Sequence, residues 1–270
     1  MTLAVGASRV RRAYAPGPHG QIHYRRSGPD GTRSPLLLLH PCPGSGYLYD
    51  AFLAEMGRDR TVIAPDFPGF GMSDAPPGAP GIAGYAAAML ELETALGLGV
   101  FDIMGYHAGG VVAVDMARQL PKAVRKIVMI AAPVFTDQER AEFNARFSVH
   151  GPDERAKAME KSWPIFKTHF WKMETDPVRT WNLYLDGQKN PEVSSWGLRA
   201  ALNYDLAENL AKLAQPVLVL NPKDDLHAYT PRATAALKNG RVLDLPEWTH
   251  GMLDAKTAEV ADIVRTFLDK

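Results

Sequence analysis

Short, continuous runs of apolar residues recur along the chain, and helical patterns lie between most of them. Runs of this kind are typical of strands buried on both faces of a parallel sheet. The predicted strands cover residues 10–14, 21–26, 36–39, 61–64, 100–104, 126–131, 217–220 and 242–245. The predicted helices cover residues 47–56, 82–96, 109–120, 230–238 and 255–268. This alternation predicts an α/β fold with an eight-stranded, mostly parallel sheet and helices on both faces.

One long stretch breaks the alternation. Residues 134–209 are charged, rich in aromatic side chains and mostly helical in pattern. We interpret them as a helical cap inserted into a core domain that comprises residues 1–133 and 210–270. Each aromatic side chain of the cap is individually more typical of the cap's own core, but together they predict an apolar wall over a pocket. The candidate substrate contacts in the cap are Trp163, Phe166, Phe170, Trp171, Trp181 and Tyr184.

Composition and charge narrow the class of protein. The chain has 270 residues, 46% of them hydrophobic, with 30 basic and 30 acidic side chains that cancel. No polybasic field is present to hold nucleic acid or an anionic membrane, and no apolar run approaches the length that spans a bilayer. The chain opens with a short apolar patch followed by arginines, the reverse of a secretory signal. The single cysteine, Cys42, excludes an intrachain disulfide, so we expect a cytoplasmic protein.

The motif with the clearest chemical meaning is Gly-Tyr-His-Ala-Gly at residues 105–109. It lies between a predicted strand and a predicted helix, which is the setting of a nucleophile elbow of the form G-x-nucleophile-x-G. The strained turn needs glycines on both sides because larger side chains would collide with the neighbouring strand and helix. The central residue is His107, and histidine is one of the residues enriched at positive φ. We therefore expect the His107 side chain above the strand end, where ligands of open α/β sheets bind.

Two further motifs and two single residues follow predicted strands in the order found in one family. Residues 40–44 read His-Pro-Cys-Pro-Gly, and residues 66–73 match D-x-x-G-x-G-x-S. Asp225 and His250 follow the last two predicted strands. On these motifs the chain resembles the α/β-hydrolase superfamily over nearly its whole length. The resemblance implies that Asp225 orients His250 as a general base, and that the backbone N–H groups of Cys42 and Ala108 form an oxyanion hole.

The chain departs from this family at two positions. Pro41 stands where relatives have glycine beside the oxyanion hole, and His107 stands where they have serine, cysteine or aspartate. Three interpretations of His107 are open. It attacks the substrate, or it moves a proton or binds substrate while His250 activates water. In the third, the protein is a relative that has lost catalysis and His107 has no catalytic role. For the acid we prefer Asp225 over Asp224 because it comes three residues after Pro222, where the family has a G-x-x-D glycine.

The remaining candidates belong to the same pocket. Tyr106 and His40 are candidate substrate contacts, although His40 is also suited to packing under the oxyanion loop. His107, His250 and Asp225 match a two-histidine, one-carboxylate metal triad. We expect no metal, because the family places the acid behind the histidine rather than beside it. No cofactor is expected either.

These features predict a hydrolase of a small, largely apolar carbonyl substrate: an ester, a lactone or a carbon–carbon bond next to a carbonyl. One alternative is a cofactor-free lyase, isomerase or oxygenase-like enzyme that uses the two histidines as acid and base. Another is a small-molecule receptor that keeps the pocket and has lost turnover. The expected partner is a small molecule, and a homodimer is left open.

Overall fold

The computed structural model describes residues 9–31, 33–146 and 152–270. Residues 1–8, which carry the apolar patch at the start of the chain, lie outside the described residues, as do residues 147–151 of the predicted cap. The statements below concern the described residues.

The described strands form a single sheet in the order β1-β2-β4-β3-β5-β6-β7-β8. Their bounds are β1 Arg11–Gly17, β2 Gly20–Ser27, β3 Leu36–Leu39, β4 Val62–Pro65, β5 Phe101–Tyr106, β6 Val124–Ile130, β7 Val217–Pro222 and β8 Gly240–Leu245. Strand β2 is antiparallel to both of its neighbours, β1 and β4, and every other pair is parallel. The predicted eight-stranded, mostly parallel sheet is confirmed.

Helices follow the strands as the apolar periodicity predicts. Their bounds are α1 Asp50–Met56, α2 Gly81–Leu96, α3 Ala108–Gln119, α4 Asp137–Arg146, α5 Pro152–Trp171, α6 Pro177–Asp186, α7 Trp196–Leu202, α8 Leu206–Leu210, α9 Met252–Ala255 and α10 Thr257–Leu268. Two predicted helices differ in type. The one at residues 47–56 begins as a 3-10 helix, Gly46–Tyr49, and the one at residues 230–238 is a 3-10 helix, Thr230–Ala236. The predicted terminal helix at residues 255–268 is confirmed as α10, whereas the short helix α9 before it was not predicted.

The core consists of two apolar layers, one on each face of the sheet. Strand β3 shows why: all four of its leucines are fully buried, and successive side chains point to opposite faces. Leu37 and Leu39 enter the layer under α2 and α3, whereas Leu36 and Leu38 enter the layer under α1 and α10. Because both faces are covered, the carboxyl ends of the parallel strands become the natural place for a site.

The segment between β6 and β7 contains helices α4 to α8 and reaches back over these strand ends. Helix α6 is tied down by Arg179, which donates to the carbonyls of Tyr47 and Leu48 and pairs with Asp254. Helix α7 comes so near the loop after β3 that a Cβ on Gly197 would lie 2.3 Å from the sulfur of Cys42. The described helices include none that is both long and apolar enough to cross a membrane.

Candidate active site

The turn between β5 and α3 places His107 at the strand end. Its φ of 49° and ψ of −115° lie in a region that costs a side-chain-bearing residue about 1–3 kcal/mol and that clusters at functional sites. The flanking glycines are required by close approach. A Cβ on Gly105 would lie 2.3 Å from the Gly109 carbonyl oxygen, and a Cβ on Gly109 would lie 2.1 Å from that of Leu39. The backbone of β3, β5 and α3 therefore fixes the direction of the His107 side chain.

His107 has a carboxylate partner of its own. Its Nε2 donates to Oδ2 of Asp224 over 2.8 Å, and the other Asp224 oxygen accepts from the Leu226 N–H over 2.8 Å. The Asp224 side chain is completely buried. Burial lowers the pKa of His107, but the charge and hydrogen bond of Asp224, together with the charge of Asp225, outweigh it, so the pKa is raised. Asp224, weighed in the sequence only as a substitute for Asp225, is therefore the partner of the elbow histidine.

The second histidine pairs with the second aspartate. His250 Nε2 lies 3.0 Å from Oδ1 of Asp225, and the buried Nδ1 of His250 has no hydrogen-bond partner among the described residues. Partial desolvation would raise the pKa of Asp225, but the bond from His250 and the charges of His107 and His250 hold it well below its usual range. The expectation that Asp225 sits behind His250 is wrong, because its side chain is 56% exposed and faces the cavity space.

Backbone contacts hold the two pairs together. The N–H of Lys223, just before the aspartates, donates to the carbonyl of Trp248, close to His250, over 2.7 Å. The rings of His107 and His250 meet edge to face, with their centroids 5.6 Å apart. A third ring, His169 of α5, lies 4.8 Å from His250, and both burial and the charge of His250 lower its pKa. The site thus contains two imidazole–carboxylate pairs in mutual contact and a flanking imidazole.

Two cavities open at this site, and His107, Leu198 and Asp225 line both. The first, of about 140 Å³, is mostly apolar but includes the cation of Arg140. The second has about 270 Å³. The first is lined further by Ala108, Val111, Pro133, Val134, Phe135, Phe143, Ala201, Leu202, Tyr204, Asp205, Leu206, Ala207 and Leu226. The second is lined further by Pro41, Cys42, Pro43, Gly44, Ser45, Leu48, Tyr106, Phe166, Phe170, Leu183, Asp186 and His250.

The predicted site residues divide between these cavities and other places. Tyr106, Phe166 and Phe170 line the second cavity, as does Cys42, whereas Ala108 lines the first. The two residues assigned to the oxyanion hole thus flank His107, at the loop after β3 and at the start of α3. The first N–H groups of a helix have no partner within the helix, so the N–H of Ala108 is placed to donate to an anion.

His40 is a correction to the predicted substrate contacts. Its ring is fully buried, its Nδ1 donates to the Pro41 carbonyl over 2.8 Å, and its Nε2 accepts from the Phe67 N–H over 2.9 Å. Both ring nitrogens are occupied, and burial lowers its pKa. The residue braces the loop after β3, which is the structural role also considered from the sequence.

Four aromatic residues of the helical segment also lie away from the cavity linings: Trp163, Trp171, Trp181 and Tyr184. Trp163 meets Trp181 edge to face at 4.8 Å and lies 5.1 Å from Tyr184, so the three form a cluster of their own. Lys167 covers the face of Trp171 at 4.1 Å. Their candidacy as substrate contacts is not supported, because helical periodicity identifies an apolar face but not what that face packs against.

Several site residues were missed from the sequence. Asp186 lines the second cavity, where it accepts from the Ser45 hydroxyl over 2.6 Å. Arg140 lines the first cavity, and Leu198 lines both. None of them belongs to a motif. In the sequence, only the presence of a second acid, Asp224 beside Asp225, indicated a further residue of the site.

Comparisons with known proteins agree with this architecture. The model of the alpha/beta hydrolase family matches residues 36–263. An uncharacterized protein of Mycobacterium tuberculosis is 32% identical over 102 residues, which is 38% of this chain but only 30% of that relative's length. A putative carbamate hydrolase of Rhizobium rhizogenes is 26% identical over 76% of this chain and 80% of its own. The crystal structure of an esterase from a Rhodococcus species superposes with a TM-score of 0.81, at 23% identity, over 96% of this chain and 98% of the esterase.

Proposed function

The chain belongs to the alpha/beta hydrolase family, and from this premise we propose that it hydrolyses an ester-type bond in a small, largely apolar carbonyl compound. The family and the hydrolases among the similar proteins support a hydrolase-type function. The proposed mechanism has the His107–Asp224 pair as its acid–base group. The observation that carries it is the 2.8 Å hydrogen bond between His107 Nε2 and the buried Asp224 carboxylate.

Water, rather than His107, is the proposed nucleophile. With Nε2 donating to Asp224, the only other ring nitrogen of His107 is Nδ1, which is flanked by the side chain's own Cβ and is a hindered nucleophile. A proton is smaller than a carbonyl carbon, so this nitrogen is better suited to accepting a proton than to attack. In the proposed step His107 takes a proton from water while the oxygen adds to the carbonyl carbon. The Asp224 carboxylate stabilises the imidazolium that forms, as the aspartate of a serine-protease triad does.

The other groups complete the reaction. The backbone N–H groups of Cys42 and Ala108 are proposed to stabilise the oxyanion of the tetrahedral intermediate. His250, paired with Asp225, is proposed to donate a proton to the leaving oxygen as the carbon–oxygen bond breaks. After the product leaves, exchange with water takes the proton from His107 and returns one to His250, which restores both groups. The apolar lining of the first cavity favours a hydrocarbon portion of the substrate.

A second candidate function uses the same pairs without water. Two imidazole–carboxylate pairs in contact are suited to removing a proton from one substrate atom and delivering it to another, as a cofactor-free lyase or isomerase requires. The two functions are separated by running turnover in H₂¹⁸O. Hydrolysis incorporates the label into the acid product, whereas proton-transfer chemistry does not.

The decisive test uses a panel of chromogenic aryl esters, assayed in a chelator. We expect turnover that His107→Ala abolishes and that Asp224→Asn lowers by up to about 10⁴-fold in kcat, because an amide cannot stabilise the imidazolium. His227→Asn is the matched control, since this exposed histidine pairs with Asp244 and lines neither cavity at the site. An adduct trapped on His107 by rapid quenching would establish direct attack instead, and unchanged rates in Asp224→Asn would refute the acid–base role.

A further inference from the structure

The four side chains of the two pairs also form a set of metal donors. We propose that His107, Asp224, Asp225 and His250 bind a first-row divalent cation, with Zn²⁺ the best match. Each offers one ligand atom, and these atoms all lie within 4.8 Å of one another. In a tetrahedral zinc site with bonds of about 2.1 Å, neighbouring donor atoms are about 3.4 Å apart. The donor atoms therefore need to shift by about an ångström to close around the ion.

The charges of the donors match a divalent cation. With neutral imidazoles the set carries the charge of two carboxylates, and Asp224 is completely buried. Buried carboxylates are stable in proteins when they are paired with a cation or coordinate a metal. In the described structure, His107 pairs with Asp224 and His250 pairs with Asp225. A single Zn²⁺ between the four groups would neutralise the charge of both carboxylates at once.

The geometric reason for expecting no metal does not apply to this structure. That expectation assumed an acid behind the histidine and therefore only two imidazole ligands. Asp225 instead lines the cavities beside His107, and Asp224 adds a fourth donor from the same loop. Three loops contribute ligands from the carboxyl ends of β5, β7 and β8. The second cavity reaches three of the four donors, His107, Asp225 and His250.

The loops that carry the donors are tied together before any ion arrives. The elbow fixes His107, and the Leu226 N–H holds the second oxygen of Asp224 over 2.8 Å. The Lys223–Trp248 backbone bond ties the aspartate loop to the loop that carries His250. Partners of this kind, which orient ligands without touching the metal, raise affinity in metalloproteins.

The mixture of donors selects the metal. Two imidazole nitrogens with two carboxylate oxygens suit zinc and its neighbours in the first transition row. Mg²⁺ and Ca²⁺ prefer a shell of oxygen ligands, so they should bind far more weakly. The proposal does not depend on the proposed hydrolysis, because binding is measured without substrate and hydrolysis is measured in a chelator.

The test is isothermal titration calorimetry of the full chain after chelator treatment and dialysis, with ZnCl₂ as titrant and MgCl₂ as the control cation. We expect one Zn²⁺ per chain and no measurable heat of binding with Mg²⁺. Asp225→Asn should weaken zinc binding by more than about tenfold. Losing a residue that only orients a ligand already costs about tenfold in metal affinity, and Asp225 is proposed to be a ligand itself. This aspartate is more than half exposed, so the variant should unfold at the wild-type temperature in chelator.

A matched control distinguishes the site from adventitious binding to surface histidines. His227 lies 2.9 Å from Asp244 in an exposed pair of the same chemistry outside the set, so His227→Asn should leave zinc affinity unchanged. The proposal is overturned if Zn²⁺ does not bind, if Asp225→Asn and His250→Ala bind it as tightly as the wild type, or if His227→Asn removes the binding.

Discussion

Replacing Asp224 by asparagine should destabilise the fold much more than the same change at Asp225. Both oxygens of Asp224 are used, one by His107 Nε2 and the other by the Leu226 N–H. An asparagine has a single acceptor oxygen, so its NH₂ group must face one of these two donors. The lost bond is buried and charge-assisted, so the expected cost is about 1–3 kcal/mol of unfolding free energy. At Asp225, with 56% of the side chain exposed, we expect less than about 1 kcal/mol.

The difference between Asp224→Asn and wild type should depend on pH with a definite sign. The pKa of His107 is raised in the folded protein by the charge and hydrogen bond of Asp224, against the effect of burial. Folding therefore favours the protonated ring. The His107–Asp224 pair contributes its full stabilisation below the unfolded histidine pKa of about 6.5. This stabilisation is lost as the pH rises through the pKa of His107 in the folded protein. The gap in stability between the wild type and Asp224→Asn should narrow over the same range.

Urea denaturation in chelator at a series of pH values measures the unfolding free energies of wild type, Asp224→Asn and Asp225→Asn. NMR titration of the His107 ring protons reports its pKa directly and should give a lower value in Asp224→Asn. If Asp224→Asn is as stable as wild type at every pH, with an unchanged His107 pKa, the buried pair has no energetic role and the acid–base proposal loses its basis.

Three further perturbations test other parts of the architecture. Gly109→Ala should cost about 3 kcal/mol or more in urea denaturation, because its Cβ would lie 2.1 Å from the Leu39 carbonyl oxygen; a stable variant would contradict the close approach. Asp66→Asn should reduce stability at pH 7, and the loss should shrink as the pH falls below the unfolded aspartate pKa of about 3.9, because burial raises the Asp66 pKa less than the bond from His23 and its other partners lower it; a loss that does not change with pH would contradict this. Leu198→Trp should abolish ester turnover while leaving the thermal unfolding temperature within a few degrees, because the residue lines both cavities; wild-type kinetics would exclude them as the substrate site.

The fold was predictable because its signal is local. A strand covered on both faces must be apolar at every position, as the four buried leucines of β3 are, and such a run is visible without any knowledge of its neighbours. The short helix α9 was missed because four residues are too few to show a helical period.

The location of the site was predictable for a related reason, but the composition of its cavities was not. Parallel strands bring their carboxyl ends to one edge, so His107, Asp225 and His250 had to lie near one another once the strands were assigned. The cap residues carry no such constraint. Phe170 and Trp181 belong to neighbouring helices with similar aromatic content, yet only the first lines a cavity, because the choice depends on how α5 and α6 pack together.

The pairing of the aspartates marks where motif reasoning fails. A motif assigns one acid to one histidine, so the sequence posed Asp224 and Asp225 as competitors for His250. Two consecutive residues in an irregular loop can direct their side chains to different partners, and the tight turn leaves Asp224 buried against His107 and Asp225 open beside His250.

A serine at the elbow would place no basic ring beside the buried Asp224 carboxylate. The carboxylate would then keep only the Leu226 N–H, and a buried carboxylate with fewer partners is costly, so a histidine at the elbow and an aspartate at position 224 support each other. We therefore expect His107→Ser to lower the unfolding free energy, measured by urea denaturation in chelator, because it removes the 2.8 Å hydrogen bond to the buried Asp224 carboxylate; a variant as stable as the wild type would contradict this mutual support.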